Sequence, residues 1–306
     1  MHSTDPFISI EKSFDYNELI NKISELNKDF DFINISTIGK SILGRNLPLI
    51  TFGTGQKSVL YIAGHHGMEW ITSALLINFI NDIASQFKEN HTIFGISSRI
   101  LFETRKIHIV PMLNPDGIEY SIHGVSSNNI LKDRLEKINH CRDFTYWQAN
   151  ARGVDLNHNY NSGFNEYKII EQKLNIHNGA ATKYSGNYPE SEPETQAICN
   201  FVRFQQPELA ISLHTQGEEI YYTSGGYFCP NSLSIAKTIS RLTGYKISFP
   251  EGSAKYGGFT DWFIEEFDKP SFTIECGLGK NPLPYSDFNK IYSKLKRALF
   301  TIPILI

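Results

Sequence analysis

Val59-Leu60-Tyr61-Ile62-Ala63-Gly64-His65-His66-Gly67-Met68-Glu69-Trp70 sets a short apolar run directly against a glycine, two histidines and a glutamate. Five consecutive apolar residues stopped by a glycine read as a buried strand. Over residues 69–87 the apolar side chains Leu75, Leu76, Phe79, Ile80 and Ile83 recur at helical spacing. The strand therefore hands over to a helix across a bend at Gly67. Strand followed by helix is the repeating element of a parallel sheet, and its site residues stand outside the carboxyl ends of the strands.

The pattern extends in both directions. Residues 13–28 read as a helix through Leu19, Ile20, Ile23 and Leu26, and residues 32–38 and 47–52 as strands. Residues 107–112 form a buried strand ending in a turn at Asn114-Pro115-Asp116-Gly117. Ser191-Glu192-Pro193-Glu194 carries the Ser-x-x-Glu capping box of a helix whose apolar face is Ile198, Phe201 and Val202. Residues 209–213 deliver His214 and residues 271–274 deliver Glu275, each from the end of a strand, with helices over 233–242 and 285–300. The alternation predicts an α/β fold with a mainly parallel sheet. No repeat, low-complexity tract or Pro/Gly-rich linker divides residues 1–306, so one domain is expected. The long segment 118–151 holds one helix, 129–138, and is expected to wall a cleft and to order on substrate. Gly53-Thr54-Gly55-Gln56-Lys57-Ser58 has phosphate-loop glycines, but a strand follows, leaving no helix N-terminus for phosphate; it reads as a hairpin turn.

Hydrophobic residues at 41% and charged residues at 20% are ordinary globular composition, so disorder is excluded. A net charge of −3 without a basic stripe excludes a nucleic-acid partner. No apolar run approaches the roughly 20 residues of a membrane span, and residues 1–12 lack a secretory pattern, so a cytoplasmic protein is expected. Cys141, Cys199, Cys229 and Cys276 show no CxxC spacing, which argues against a thiolate metal site and predicts buried free thiols.

His66, Asn114, His214 and Glu275 each follow a strand. Zinc takes nitrogen, sulfur or oxygen donors, and a catalytic site leaves one of four positions to water. His66 and Glu69, three residues apart across a strand-to-helix bend, supply two donors. Alone, the pair is a weak signal, and its plainer reading is a helix start with an acidic first turn.

Its surroundings decide the matter. His66-Gly67-Met68-Glu69-Trp70, then Ser212-Leu213-His214, then Thr273-Ile274-Glu275 resemble the zinc carboxypeptidases of the carboxypeptidase A type. Pro111-Met112-Leu113-Asn114-Pro115-Asp116-Gly117, Gly153-Val154-Asp155-Leu156-Asn157 and Gly257-Gly258-Phe259-Thr260-Asp261-Trp262 match further blocks in the same order. The resemblance implies a three-layer α/β/α fold around a mixed, mainly parallel sheet. It implies one zinc ion per chain on His66, Glu69 and His214, with Glu275 as general acid/base. Arg152 matches an arginine that stabilises the tetrahedral intermediate, Asn157 and His158 match substrate-binding positions, and Tyr256 lies near a mobile tyrosine of the family.

One departure bears on substrate. Where the family's carboxypeptidases carry an arginine that grips the C-terminal carboxylate, this chain has His158, which cannot make the same fork. If His158 meets a carboxylate as a cation, KM should rise between about pH 6 and 8 as it loses its proton. This substitution, Asn150-Ala151-Arg152-Gly153-Val154-Asp155-Leu156-Asn157, and Gly277-Leu278-Gly279-Lys280-Asn281-Pro282-Leu283-Pro284 resemble a bacterial branch of γ-D-glutamyl-L-diamino acid peptidases. That branch implies a small muropeptide substrate. The rival readings are an N-acyl amino acid deacylase or amidase, an ordinary carboxypeptidase, and a non-catalytic binding protein on the same scaffold.

Overall fold

The computed structural model describes residues 13–306, apart from the side chain of Ser253; the expectation for residues 1–12 lies outside this range. The chain runs through α1 (Tyr16–Asp29), β1 (Asn34–Lys40), β2 (Asn46–Phe52), β3 (Lys57–Ile62), α2 (Ile71–Lys88), β4 (Arg105–Val110), α3 (Pro115–His123) and α4 (Lys132–Asn139). It continues through α5 (Phe164–Lys173), α6 (Pro193–Gln205), β5 (Leu209–His214), β6 (Glu219–Tyr221), α7 (Ser232–Thr243), β7 (Lys246–Ile247), α8 (Phe259–Phe267), β8 (Ser271–Glu275) and α9 (Phe288–Thr301). These strands form an eight-stranded sheet in the order β1-β2-β4-β3-β5-β8-β6-β7. The four central strands β4, β3, β5 and β8 are mutually parallel, and antiparallel pairings flank them on both sides. The mixed, mainly parallel architecture is the expected one.

Side chains alternate across each strand, and both faces are covered. Val59 and Tyr61 of β3 join the larger core with α1, α2, α7 and α9, while Leu60 and Ile62 face α6 and α8. Parallel strands buried on both sides explain why the central runs read as continuous apolar stretches. Because β3, β5 and β8 are adjacent and parallel, their carboxyl ends bring His66, His214 and Glu275 to one edge of the sheet.

Four local readings are corrected. Asn114-Pro115-Asp116-Gly117 is a helix start: the Asn114 side chain accepts from the Gly117 amide at 2.9 Å and Pro115 opens α3. Turn and N-cap share the same residue signal here. Ser191 does not cap α6, because Pro193 occupies its first position and Glu192 is the cap residue. Ser191 Oγ instead donates to Glu192 Oε1, and buried Glu194 accepts from the Ile42 amide. Gly53–Ser58 is not a hairpin turn, since β4 lies between β2 and β3 and pairs with both. In segment 118–151, α3 and α4 enclose a small core of Tyr120, Leu135, Phe144, Trp147, Ala149 and Ala151, and Gln148 is the residue that this segment contributes to the lining of the cleft. The thiols are free as expected, but Cys141 is exposed rather than buried. No helix among the described residues is long and apolar enough to cross a membrane.

Candidate active site

The β3–α2 connection is built to fold tightly onto the sheet edge. Gly64 takes a left-handed backbone, φ 66°, at the strand end. A Cβ at Gly67 would lie 2.3 Å from the Gly117 carbonyl, so only glycine allows this approach. Asn114, fully buried, donates to the carbonyls of His65 (3.0 Å) and Ala149 (3.1 Å) while capping α3. It thereby pins the histidine loop to the backbone at Ala149. His66 ends this loop, and Gly67–Glu69 forms a single 3₁₀ turn that points Glu69 back toward it.

His66, Glu69 and His214 converge, each offering one ligand atom with all three within 4.8 Å of one another. His66 Nδ1 is 2.8 Å from Glu69 Oε1, His214 Nδ1 is 3.1 Å from Glu69 Oε2, and the two Nδ1 atoms are 3.3 Å apart. Two imidazole nitrogens and a carboxylate aimed at a common point are a donor set suited to zinc. The Thr215 amide also donates to Glu69 Oε2, holding the carboxylate in place.

His66 turns its Nδ1 inward because its other nitrogen is taken. Asp155 Oδ1 lies 3.2 Å from His66 Nε2, which makes Nε2 the donor and leaves the Nδ1 lone pair for a metal. Burial opposes charge on His66, but Glu69 and Asp155 raise its proton affinity well above the ordinary value. Burial likewise opposes ionisation of Glu69, yet His66 and His214 hold its carboxyl down at about 2. The other histidine of the pair, His65, is not a ligand candidate. Its Nε2 contacts the Tyr160 hydroxyl at 2.9 Å, and its ring stacks on His214 at 5.1 Å.

Glu275 stands beside His214 in the parallel β5–β8 register and lines the same cleft as His66 and Glu69. Burial and the nearby Glu69 carboxylate push its carboxyl well above the ordinary range. The convergent donor set of His66, Glu69 and His214 fits zinc.

The cleft, about 350 Å³, is lined by His66, Glu69, Asp155, Asn157, His158, Glu275 and the residues around them. Asn157 Oδ1 accepts from the Phe259 amide at the start of α8, which leaves its amide NH₂ toward the cleft. His158 stacks on Tyr167 at 4.0 Å, and its Nδ1 donates to the Tyr256 carbonyl at 2.9 Å. Burial lowers its proton affinity, more than Asp155 restores it. This lowered proton affinity works against the expected cationic contact of His158 with a carboxylate. A folded pKa below the usual histidine value places its titration below about pH 6.5, so wild-type KM stays flat between about pH 7 and 8. A steep rise in KM over that interval, absent in His158→Ala, would overturn this.

Arg152 and Tyr256 are not where the motif placed them. Arg152 points away from the cleft and donates through Nε to Glu192 Oε2 at 3.0 Å, in a separate pocket with Arg134 and Tyr184. The pull of buried Glu192 gives the physical reason. The Tyr256 ring lines a neighbouring pocket with Phe249 and Pro250, and only its carbonyl serves the cleft through His158. The tyrosine that does line the cleft is Tyr221, held by a bond from its hydroxyl to Glu219 Oε2. Asp155, Lys183 and Gln148 are further cleft residues missed as functional positions. Asp155 was legible in the Gly153-Val154-Asp155-Leu156-Asn157 block; the others carried no sequence signal. Asp155→Asn should weaken zinc binding by about 10–100-fold while leaving the fold intact, read by competition with a chromogenic chelator. Unchanged affinity would remove Asp155 from the site.

Two histidines and a glutamate around one metal position, opening on a cleft with a separate glutamate, define a mononuclear metallohydrolase. The chain belongs to the zinc carboxypeptidase family, whose model matches residues 18–298, and it is a zinc metallopeptidase. It is 34% identical over 286 residues to gamma-D-glutamyl-L-diamino acid endopeptidase 1 of Lysinibacillus sphaericus, covering 93% of this chain and 70% of that protein. Among solved structures, thrombin activatable fibrinolysis inhibitor superposes with a TM-score of 0.71 at 19% identity, covering 96% of this chain and 74% of that one. The murein-tripeptide amidase MpaA of Escherichia coli O157 superposes with a TM-score of 0.54 at 20% identity, covering 88% and 91%.

Proposed function

We propose that this zinc peptidase hydrolyses the amide between γ-D-glutamate and a diamino acid in small murein-type peptides. The observation that carries the reading is that the described residues lining the cleft include no arginine: His158 stands at the expected position, and Arg152 is turned away to Glu192. A guanidinium fork is the group that grips the terminal α-carboxylate of an ordinary α-linked peptide, so this cleft favours a substrate of different linkage. Likeness to the Lysinibacillus sphaericus endopeptidase supports the same bond. The cleft opens past exposed residues such as Lys183 and Ala254, which suits a peptide better than the closed pocket of a small-molecule deacylase.

When bound on His66, Glu69 and His214, zinc supplies a Lewis acid for the scissile carbonyl and lowers the pKa of water. Asp155 keeps His66 in the tautomer that can bind. Glu275 takes the proton from the attacking water and returns it to the departing amine. Its place at the end of β8, beside His214 in register, sets it one strand from the ligands rather than among them. Asn157 offers its amide NH₂ to the substrate.

The test is mass spectrometry of L-Ala-γ-D-Glu-diaminopimelate incubated with zinc-loaded protein. Release of free diaminopimelate together with L-Ala-D-Glu is the expected result. Loss of only the terminal residue from ordinary α-linked peptides, with this tripeptide untouched, would contradict the reading.

A further inference from the structure

Among the described residues lining the cleft, Lys183 alone is a lysine or arginine, against the acids Glu69, Asp155, Asp261 and Glu275. Its mounting is unusual for a surface lysine. The backbone is left-handed, φ 66°, a conformation that is unfavourable for a non-glycine residue and persists where surrounding contacts impose it. Those contacts are present. The Lys183 amide donates to Asp155 Oδ2 at 2.9 Å, and its carbonyl accepts from the Tyr167 hydroxyl at 3.0 Å. Asp155 uses its other oxygen for His66, and Tyr167 uses its ring to stack on His158. One carboxylate thus fixes both a metal ligand and the base of this lysine. Lys168, Lys269 and Lys294 have carboxylate partners, but the ammonium of Lys183 has none among the described residues. Its charge also bears on His158, lowering that ring's proton affinity.

We propose that Lys183 is the specificity cation of the cleft, binding a carboxylate of the substrate that flanks the scissile amide. The inference rests on the peptide reading given above. A γ-linked glutamate keeps its α-carboxylate free beside the scissile bond, which an ordinary α-peptide does not, and the diamino acid on the leaving side carries carboxylates of its own. Both sources present the same chemistry to an ammonium group. A lysine held at its backbone but free at its tip suits this role, because one point charge on a flexible stem can follow a carboxylate that flanks the scissile amide.

The experiment compares wild type, Lys183→Met and Lys183→Arg on L-Ala-γ-D-Glu-diaminopimelate. It adds two derivatives, one amidated at the glutamate α-carboxylate and one at the carboxylates of the diamino acid. Lys183→Met should raise KM about tenfold with kcat nearly unchanged, and Lys183→Arg should restore most of the loss. The effect of Lys183→Met should vanish on whichever derivative lacks the recognised carboxylate, which identifies the source. An equal effect on all three substrates, or none on any, overturns the proposal. Calorimetric binding of the tripeptide to Glu275→Gln, with and without Lys183→Met, separates this from the cleavage assignment. Binding that needs Lys183 but is not followed by cleavage in wild type sinks the assignment of the bond and keeps Lys183. Equal binding to both proteins, or binding to neither, sinks Lys183.

Discussion

His214→Ala should purify without zinc and show no detectable turnover. The reason lies in what remains. His214 supplies one of the two Nδ1 atoms 3.3 Å apart, and without it His66 and Glu69 are left in direct contact at 2.8 Å as a closed pair. Two mutually satisfied groups are a poor site for an ion that needs three protein donors. The same loss shows in stability. Added zinc should raise the unfolding temperature of wild type, because a ligand that binds only the folded state at a thousandfold excess over its Kd stabilises by about 4 kcal/mol. The variant should show no such rise. A His214→Ala protein that retains one equivalent of zinc would place the metal elsewhere.

Glu275→Gln should keep the metal and lose the reaction. The amide has the same shape but cannot carry a proton, so kcat should fall by about 10²–10⁴ with KM little changed. Zinc content should equal that of wild type, since Glu275 is not part of the convergent cluster of His66, Glu69 and His214. If the variant instead loses zinc, Glu275 is a ligand and the division of roles is wrong.

What could be read in advance was what the chain encodes locally. Val59–Ala63 before His65 and His66, the strand before His214 and the strand before Glu275 each carry their own signal. A parallel sheet then gathers strand ends that lie up to 209 positions apart, from His66 to Glu275. What could not be read depended on partners distant in sequence. Arg152 is directed by Glu192, 40 residues on. The charge on His158 depends on burial and on the carbonyl of Tyr256, 98 residues away. Lys183 enters the cleft because Asp155 holds its amide, and nothing in its neighbours' identity announces this. The Asn114 reading failed differently: a turn and a helix cap use the same residues, and only the hydrogen bond from Gly117 separates them.

The most direct test of the account is a zinc titration of chelated, metal-free protein. Bound metal and hydrolysis of L-Ala-γ-D-Glu-diaminopimelate are followed in the same samples. Activity should rise from the baseline in proportion to zinc and stop at one equivalent per chain, and His214→Ala should stay at the baseline throughout. Full activity in the exhaustively chelated protein, or a rise that continues to a second equivalent, would contradict a single zinc ion on His66, Glu69 and His214 as the centre of the reaction.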